Sequence, residues 1–232
     1  MKFLLLSLNM HVAIARYLHF DMDIVYLYSS EPTWQTNLQR VKDVLGSEDI
    51  NVVNGSDCGS LKNVYFKVFD AARTDLFVMI EADNYLLPEA SNILSYNKPT
   101  KFWTTNKYGV CYEHGGIKIL DRSFGIFQLQ NNMNIFESFE VSAHLMLPSE
   151  CKVMSEHRFD FSERHEWTTI AKELIKLYVW GHYDFIERWT EHEKPRMIFE
   201  QVKELLKTAS ITELFETLLP SLGKIYDQQF AK

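Results

Sequence analysis

Two carboxylates, Glu81 and Asp83, follow a run of apolar residues at 76–80. Five apolar residues are too few for a stable helix and have the composition of a buried strand. Residues i and i+2 of a strand point to the same face, so both carboxylates lie on one side. A divalent cation that carries a phosphorylated ligand would relieve their repulsion. The alternative is a strand end where the chain leaves the core, because Asp-Asn also begins turns.

A second segment with possible chemistry contains the paired glycines Gly115 and Gly116, followed by Lys118. Adjacent glycines allow a ligand to approach the backbone and offer N–H groups to an anion. The lysine is suited to meet a phosphate. The alternative is a tight turn into a strand with a solvated lysine.

A third segment contains two histidines, His157 and His165, among several carboxylates that include Asp160. His157 is suited to complete a metal shell begun by Asp83, and a nearby carboxylate is suited to act as a general base. The alternative is a charged loop before a helix.

These segments need a framework, and the first half of the chain supplies alternating strands and helices. The β-α-β-α-β order indicates an α/β fold with a mostly parallel sheet covered by helices. We predict strands over 3–8, 23–29, 50–53, 76–80, 101–105 and 117–120, and helices over 35–45 and from Ser60 to about Arg73. Residues 121–160 have no clear pattern.

The C-terminal part has helical periodicity, with apolar residues at steps of three and four from Trp167 to Tyr178. Further helices are predicted over 183–193, 195–208 and 211–219, the last opened by a capping box at 210–213. Glu173 and Lys176 have the i, i+3 spacing of a surface ion pair. We therefore expect an α/β core at 1–160 and a helical part at 161–232 that packs on the core and completes the site.

Composition is that of a globular protein with a substantial core. The 232 residues are 46% hydrophobic and 14% aromatic. The net charge of −7 gives no overall indication of nucleic-acid binding. Three cysteines without zinc-motif spacing predict reduced thiols in a cytoplasmic protein. We expect no membrane-spanning segment.

Taken in chain order, these segments resemble the GT-A-fold glycosyltransferases of phages that decorate hydroxymethylated pyrimidines in DNA, the type found beside base-hydroxylase genes. The resemblance covers most of residues 21–177. In the first part of the chain it is carried by the strand at 23–32 with Trp34, Asn37 and Leu38, and by the stretch at 70–84. Further along the chain it is carried by Trp103 with Asn106 and Tyr112, by the Gly-Gly-Ile-Lys-Ile-Leu segment at 115–120, and by the helix at 165–177.

The chain departs from the family pattern at five positions. Glu81 stands where the family has aspartate, and Glu113 stands where glycine is expected. Thr168 and Ala171 replace an arginine and a phenylalanine, and Lys172 replaces an arginine. These differences leave open a different donor sugar or another acceptor.

The resemblance implies a metal-dependent enzyme that moves glucose, or a pentose such as arabinose, from a UDP-sugar to 5-hydroxymethylcytosine in phage DNA, in the cytoplasm of an infected bacterial host. A base within a duplex would have to be flipped out. Lysines and arginines at 158–207 would then form a basic face with salt-sensitive DNA affinity. The alternatives are a GT-A enzyme with a glycan or protein acceptor, or a non-catalytic nucleotide-binding protein on the same fold.

The resemblance also implies roles for individual residues. Mn²⁺ or Mg²⁺ would be held by Asp83, with Glu81 and His157 as further candidate ligands. Candidates for the catalytic base are Glu113 and Asp160. Donor contacts are expected from Ser29, Glu31, Gly115, Gly116 and Lys118, and acceptor contacts from Trp103, Tyr112 and His165.

Overall fold

The structure is a computed structural model that describes residues 22–110, 112–131, 153–158, 162–179, 181–207, 210 and 213–230. Side chains at 112–115, 215, 216 and 220 are not described. The strand predicted over residues 3–8 therefore lies outside the described residues.

A single sheet contains the seven described strands. They are β1 (Asp23–Tyr28), β2 (Asn51–Asn54), β3 (Leu76–Glu81), β4 (Asn84–Leu86), β5 (Thr100–Asn106), β6 (Tyr112–Asp121) and β7 (Val153–His157). Their order across the sheet is β2-β1-β3-β6-β5-β7-β4. This mixed sheet and its helices confirm the predicted α/β class.

Parallel pairing defines the N-terminal side of the sheet. β1 pairs in parallel with β2 and with β3, so Val25 lies beside Asn51 on one side and Met79 on the other. β6 pairs with β3 in the antiparallel direction, with Lys118 opposite Met79. The carboxyl ends of β1, β2 and β3 therefore lie at one edge, where the two glycines of β6 also lie.

Helices cover both faces of this parallel part. Helix α1 (Trp34–Leu45) packs Val41 against one face, on Ile24 and Val78. Helix α2 (Leu61–Ala71) packs Phe69 against the other face, on Val25. Each such apolar side chain contributes roughly 1.5–3 kcal/mol when fully buried, so the two small cores fix β3, which ends at Glu81 just before the turn that contains Asp83.

The ends of these helices follow from local sequence. The hydroxyl of Ser60 accepts a hydrogen bond from the backbone N–H of Asn63 at 3.2 Å, which confirms the predicted cap of α2. Helix α1 ends at Gly46, whose φ of 62° is left-handed and suits glycine.

The described residues fall into two compact units. The sheet unit comprises those within Met1–Trp103 and Glu113–Ser155, and the helical unit comprises those within Thr104–Tyr112 and Glu156–Lys232. The division at residue 160 stays a prediction; by this grouping Thr104–Tyr112 belongs with the C-terminal helices. The sheet unit also contains helix α3 (Arg122–Gln130), which the sequence pattern did not predict, and a 3-10 helix at Pro88–Ser95.

The helical unit surrounds a core in which Trp189 is fully buried. Its helices are α4 (Glu163–Val179), α5 (Tyr183–Thr190), α6 (Glu193–Leu206) and α7 (Leu219–Phe230), with a π-helical turn at Leu214–Leu218 before α7. These bounds confirm the predicted helices up to residue 208.

The predicted end of the last helix at 219 is wrong, because α7 continues to Phe230. Pro220 and Gly223 both discourage a helix in sequence. Pro220 lies just after the π-helical turn at Leu214–Leu218, where the regular i→i−4 hydrogen bonding is already interrupted. At Gly223 an added Cβ would lie 2.4 Å from Nη2 of Arg164, so this glycine makes room for a neighbouring side chain.

The predicted capping box at 210–213 is confirmed: Ser210 Oγ accepts from the Glu213 N–H at 3.2 Å, and Glu213 Oε2 accepts from the Ser210 N–H at 2.8 Å.

Candidate functional site

The carboxyl ends of β1 and β3 form the switch point of the sheet, where the chain changes direction. The connection from β1 to β2 runs through α1 on one face, and the connection from β2 to β3 runs through α2 on the other. Ligands of open α/β sheets bind at such a switch point. Ser29 follows β1 there, and Asp83 follows β3, so two predicted segments meet in one place.

Asn37 holds the backbone that carries Asp83. It is a buried side chain of α1, and its Nδ2 donates to the carbonyl oxygens of Ala82 at 2.8 Å and Asn84 at 3.0 Å. On the other side, the N–H of Ala82 donates to the carbonyl of Leu27 in β1 at 2.8 Å. The loop is therefore fixed at both ends of Asp83.

Asn84 holds the side chain of Asp83. Its Nδ2 donates to Oδ1 of Asp83 at 2.6 Å, and its own Oδ1 accepts from the Ser155 hydroxyl at 3.4 Å. Asn84 is fully buried. An amide that is fixed at both ends restricts the orientation of the carboxylate it contacts.

Gly116 lies against the Asn84 amide. An added Cβ at this glycine would lie 1.8 Å from Nδ2 and 2.3 Å from Cγ of Asn84. The space that a Cβ at Gly116 would occupy is therefore filled by Asn84. Gly115 lies next to it in β6.

Lys118 is buried within the sheet unit, with 2% of its surface exposed, so the alternative of a solvated lysine is wrong. It lies opposite Met79, and its Nζ lies 5.9 Å from the centre of the Tyr65 ring in α2. Because side chains alternate along a strand, Glu81 and Lys118 occupy diagonal positions on this same face. A buried cation needs nearby negative charge or polar groups, and Glu81 is placed to supply it.

The two residues predicted to contact the nucleoside bind each other. The N–H of Ser29 donates to Oε2 of Glu31 at 2.6 Å, and its hydroxyl lies 3.3 Å from Oε1. Burial raises the pKa of Tyr26 well above its usual value, and the negative charges of Glu31 and Asp83 raise the pKa further. Both carboxylates therefore act on the same tyrosine.

An aromatic pair lies near this switch point, where Tyr28 ends β1 and Trp34 begins α1. The rings of Tyr28 and Trp34 stack with their centres 4.1 Å apart and their planes inclined by 13°. The Tyr26 hydroxyl donates to the carbonyl of Trp34 at 2.9 Å. The start of α1 is thus fixed, and the Trp34 ring is held as a flat surface.

The described carboxylates fit a divalent cation only in part. Among the described residues, no group of three or more His, Cys, Asp or Glu side chains is arranged to hold a metal. Mg²⁺ and related ions are commonly held by one or two carboxylates together with ligand phosphates and water. Asp83, which Asn84 orients, and Glu81 match that smaller donor set.

The other predicted site residues are distributed over both units. Trp103 is half-buried in β5, and His157 is buried in β7 within the helical unit. His165 lies near the start of α4 and is half-buried. Asp160 and the side chains of Tyr112 and Glu113 lie outside what the structure describes. Their predicted roles stay predictions.

The helical unit contains a concavity of about 520 Å³. Its walls include Tyr108, Trp167, His192, Lys194, Tyr226 and Phe230. The Trp167 indole N–H donates to Gln201 at 2.9 Å, which fixes that wall. None of the predicted site residues is among the described residues that line it.

Glu166 anchors one side of this cleft. It accepts from the Tyr108 hydroxyl at 2.8 Å and from the ammonium groups of Lys107 at 2.7 Å and Lys194 at 3.0 Å. Burial alone would raise the pKa of Glu166, but these hydrogen bonds outweigh it and hold the pKa below the ordinary value of 4.5.

A Glu166→Gln variant should therefore lose stability in a pH-dependent way. Because the folded-state pKa is lowered, the stabilisation by Glu166 is present above about pH 4.5 and disappears as the pH falls through the folded value. We expect a loss of about 1–2 kcal/mol at pH 7, since Lys107 and Lys194 are partly exposed. Thermal unfolding at pH 7 and pH 3 measures this difference. The exposed Glu191→Gln variant is the control, and a pH-independent loss would contradict the prediction.

Most of the basic residues at 158–207 are ion-paired, and the expected basic face stays a prediction. Six of the nine lysines and arginines in this range form ion pairs with carboxylates: Arg158, Arg164, Lys176, Lys194, Lys203 and Lys207.

The Glu173–Lys176 pair is buried, with 6% exposure of each side chain, so its interpretation as a surface pair is wrong.

Comparisons with known proteins add little to this site. No protein-family model matches the chain, and no curated protein is similar to it in sequence. A similar solved structure is the crystal structure of a glycosyltransferase involved in the glycosylation of the major capsid of PBCV-1. It is 12% identical, with a TM-score of 0.37 over 58% of this chain and 94% of that chain. A similarity this low carries no functional assignment.

Among the described residues, no helix has the length and apolar character needed to cross a bilayer.

The sequence pattern did not identify Asn37 and Asn84 as site residues. Asn84 directly follows Asp83, which was a usable signal, but Asp-Asn is also ordinary turn sequence. Asn37 lies 45 positions before Ala82 in the chain, and only the packing of α1 brings them together.

Proposed function

We propose that the protein is a GT-A glycosyltransferase that uses a UDP-sugar and a divalent cation. The observation that carries this proposal is the fixed Asp83 carboxylate at the switch point between β1 and β3. An oriented carboxylate at this edge suits a cation bound to a diphosphate. The sequence resemblance supports the same assignment.

In this proposal each side chain has a limited task. Asp83, with Glu81 near it, holds Mn²⁺ or Mg²⁺, which when bound neutralises the charge of the departing diphosphate. Trp34 offers a ring face for the uracil base. Lys118 lies diagonally across from Glu81 on the same face of the sheet, and in this proposal its charge supports the negative groups at the switch point. The bond between the sugar C1 and the diphosphate oxygen breaks, and C1 bonds to the acceptor oxygen. The acceptor hydroxyl proton passes to a base, for which Glu113 and Asp160 are the candidates.

We propose 5-hydroxymethylcytosine in phage DNA as the acceptor, with glucose or a pentose such as arabinose as the sugar. This choice of acceptor and sugar rests on the resemblance. The ion pairing of six basic residues in the 158–207 range is a specific observation that favours a second candidate, a glycan or protein acceptor, because these acceptors need no polycation surface.

One experiment separates these acceptors. The protein is incubated with Mn²⁺, a panel of UDP-sugars, and either hydroxymethylated DNA or a set of glycans and peptides, followed by mass spectrometry of the products. A new nucleoside mass supports DNA as the acceptor, and products with glycans or peptides alone support the second candidate. Mn²⁺-dependent UDP binding without any product would indicate a non-catalytic nucleotide-binding protein.

A further inference from the structure

We infer that Asn84 is a positioning residue for the Asp83 carboxylate and that Gly116 is a glycine in order to admit Asn84, not in order to bind an anion. This inference rests on the proposed function, because it concerns the orientation of the proposed cation ligand. It assigns a new role to the second glycine of the Gly-Gly segment.

The contacts of Asn84 support a positioning role. Its amide nitrogen donates to Asp83 at 2.6 Å, and its amide oxygen accepts from Ser155 at 3.4 Å. Its backbone carbonyl accepts from Asn37 at 3.0 Å. A side chain that is fully buried and held at these points has little freedom to turn. The carboxylate that it contacts is therefore fixed before any ligand binds, which lowers the cost of binding.

The geometry of Gly116 supports the second half of the inference. Any side chain there would overlap the Asn84 amide, since even a Cβ would lie 1.8 Å from Nδ2. The clash is with a buried group that cannot swing into solvent. Gly116→Ala must therefore displace Asn84 and, through it, Asp83.

The decisive test is a double-mutant cycle on cation binding. Free Mn²⁺ is measured by electron paramagnetic resonance in the presence of UDP, for the wild-type protein, Asn84→Ala, Gly116→Ala and the double variant. Loss of an outer-shell partner typically weakens metal affinity 10–100-fold, and we expect this loss for each single variant. In the Asn84→Ala variant the amide that would clash with a side chain at position 116 is absent. If Gly116 acts only through Asn84, adding Gly116→Ala to that variant should weaken Mn²⁺ binding by no more than about twofold.

Gly125→Ala is the matched control. A Cβ at Gly125 would lie 2.0 Å from Cζ of Phe69, so this variant creates a comparable clash in the sheet unit, against the α2 core. It should lower the melting temperature and leave Mn²⁺ affinity unchanged. An equal loss of affinity in Gly125→Ala would overturn the inference, because general destabilisation would then explain the effect.

Two further outcomes are distinguishable. If Gly116→Ala weakens UDP or Mn²⁺ binding equally with and without Asn84, the glycine contacts the ligand itself and the inference fails while the proposed function stands. If the wild-type protein binds no Mn²⁺ in the presence of UDP, the proposed cation site fails and takes the inference with it.

Discussion

An Asp83→Asn variant is expected to transfer sugar on the order of 10³-fold more slowly than the wild-type protein. The substitution keeps the shape of the side chain and removes its negative charge. Asn84 already donates to Oδ1 of Asp83 at 2.6 Å, so a neutral amide can still accept that hydrogen bond if it presents its oxygen. Stability should change little, and the loss should fall on the step in which the diphosphate leaves.

The measurement is the initial rate of UDP release across a Mn²⁺ titration, with the melting temperature recorded for each protein. Asp57→Asn is the control, because Asp57 is an exposed aspartate in the loop after β2. If excess Mn²⁺ restores the rate of Asp83→Asn, Asp83 contributes affinity and the bound cation is still catalytic. A rate within threefold of wild type at all Mn²⁺ concentrations would contradict a role for Asp83.

The framework of the sheet unit could be predicted because its signals are local. The apolar runs of β1 and β3, the stripe of α1 and the cap at Ser60 each lie within a dozen residues. Strand β6 was predicted too short, from 117 instead of Tyr112, because glycines are unusual inside strands. Gly116 is tolerated there because the space that its Cβ would occupy is filled by Asn84.

Buried charges were the least predictable features of the sequence. Lys118, Glu166 and Glu173 each have the sequence surroundings of a solvated residue, yet each is less than 10% exposed. The burial of Glu166 depends on partners distant in sequence, because Lys107 precedes it and Lys194 follows it by many residues along the chain. Only the folded structure assembles such a group, so periodicity gives no indication of it.

The position of Asp83 was predictable, whereas the groups that orient it were not. The sequence places Asp83 at a strand end, where a ligand site is expected. Asn84 donates to its carboxylate and in turn accepts from Ser155 of β7. Asn37 of α1 holds the backbone on either side of it, through the carbonyls of Ala82 and Asn84. Asp83 lies in the turn between β3 and β4, so its role as a cation ligand stays a prediction, now with a named set of groups that orient it.

Asn37→Asp should be the most damaging conservative change outside the carboxylates themselves. Aspartate has the same shape but no N–H, so the carbonyls of Ala82 and Asn84 lose their donor. Leaving buried acceptors unpaired costs about 1–3 kcal/mol each, and a buried negative charge now faces those two oxygens. We expect a loss of about 2–4 kcal/mol in the free energy of unfolding, measured by urea denaturation.

Asn63→Asp provides the comparison, because Asn63 also donates to a backbone carbonyl, that of Cys58 at 2.9 Å. That bond is single and partly exposed, and an acid near the start of α2 is favoured by the helix dipole. Its cost should stay below about 1 kcal/mol. If the two variants lose equal stability, the double hydrogen bond of Asn37 does not fix the Asp83 loop. If Asn37→Asp loses more stability and also weakens Mn²⁺ binding, the same buried amide supports both the fold and the site, because the loop it holds is the loop that carries Asp83.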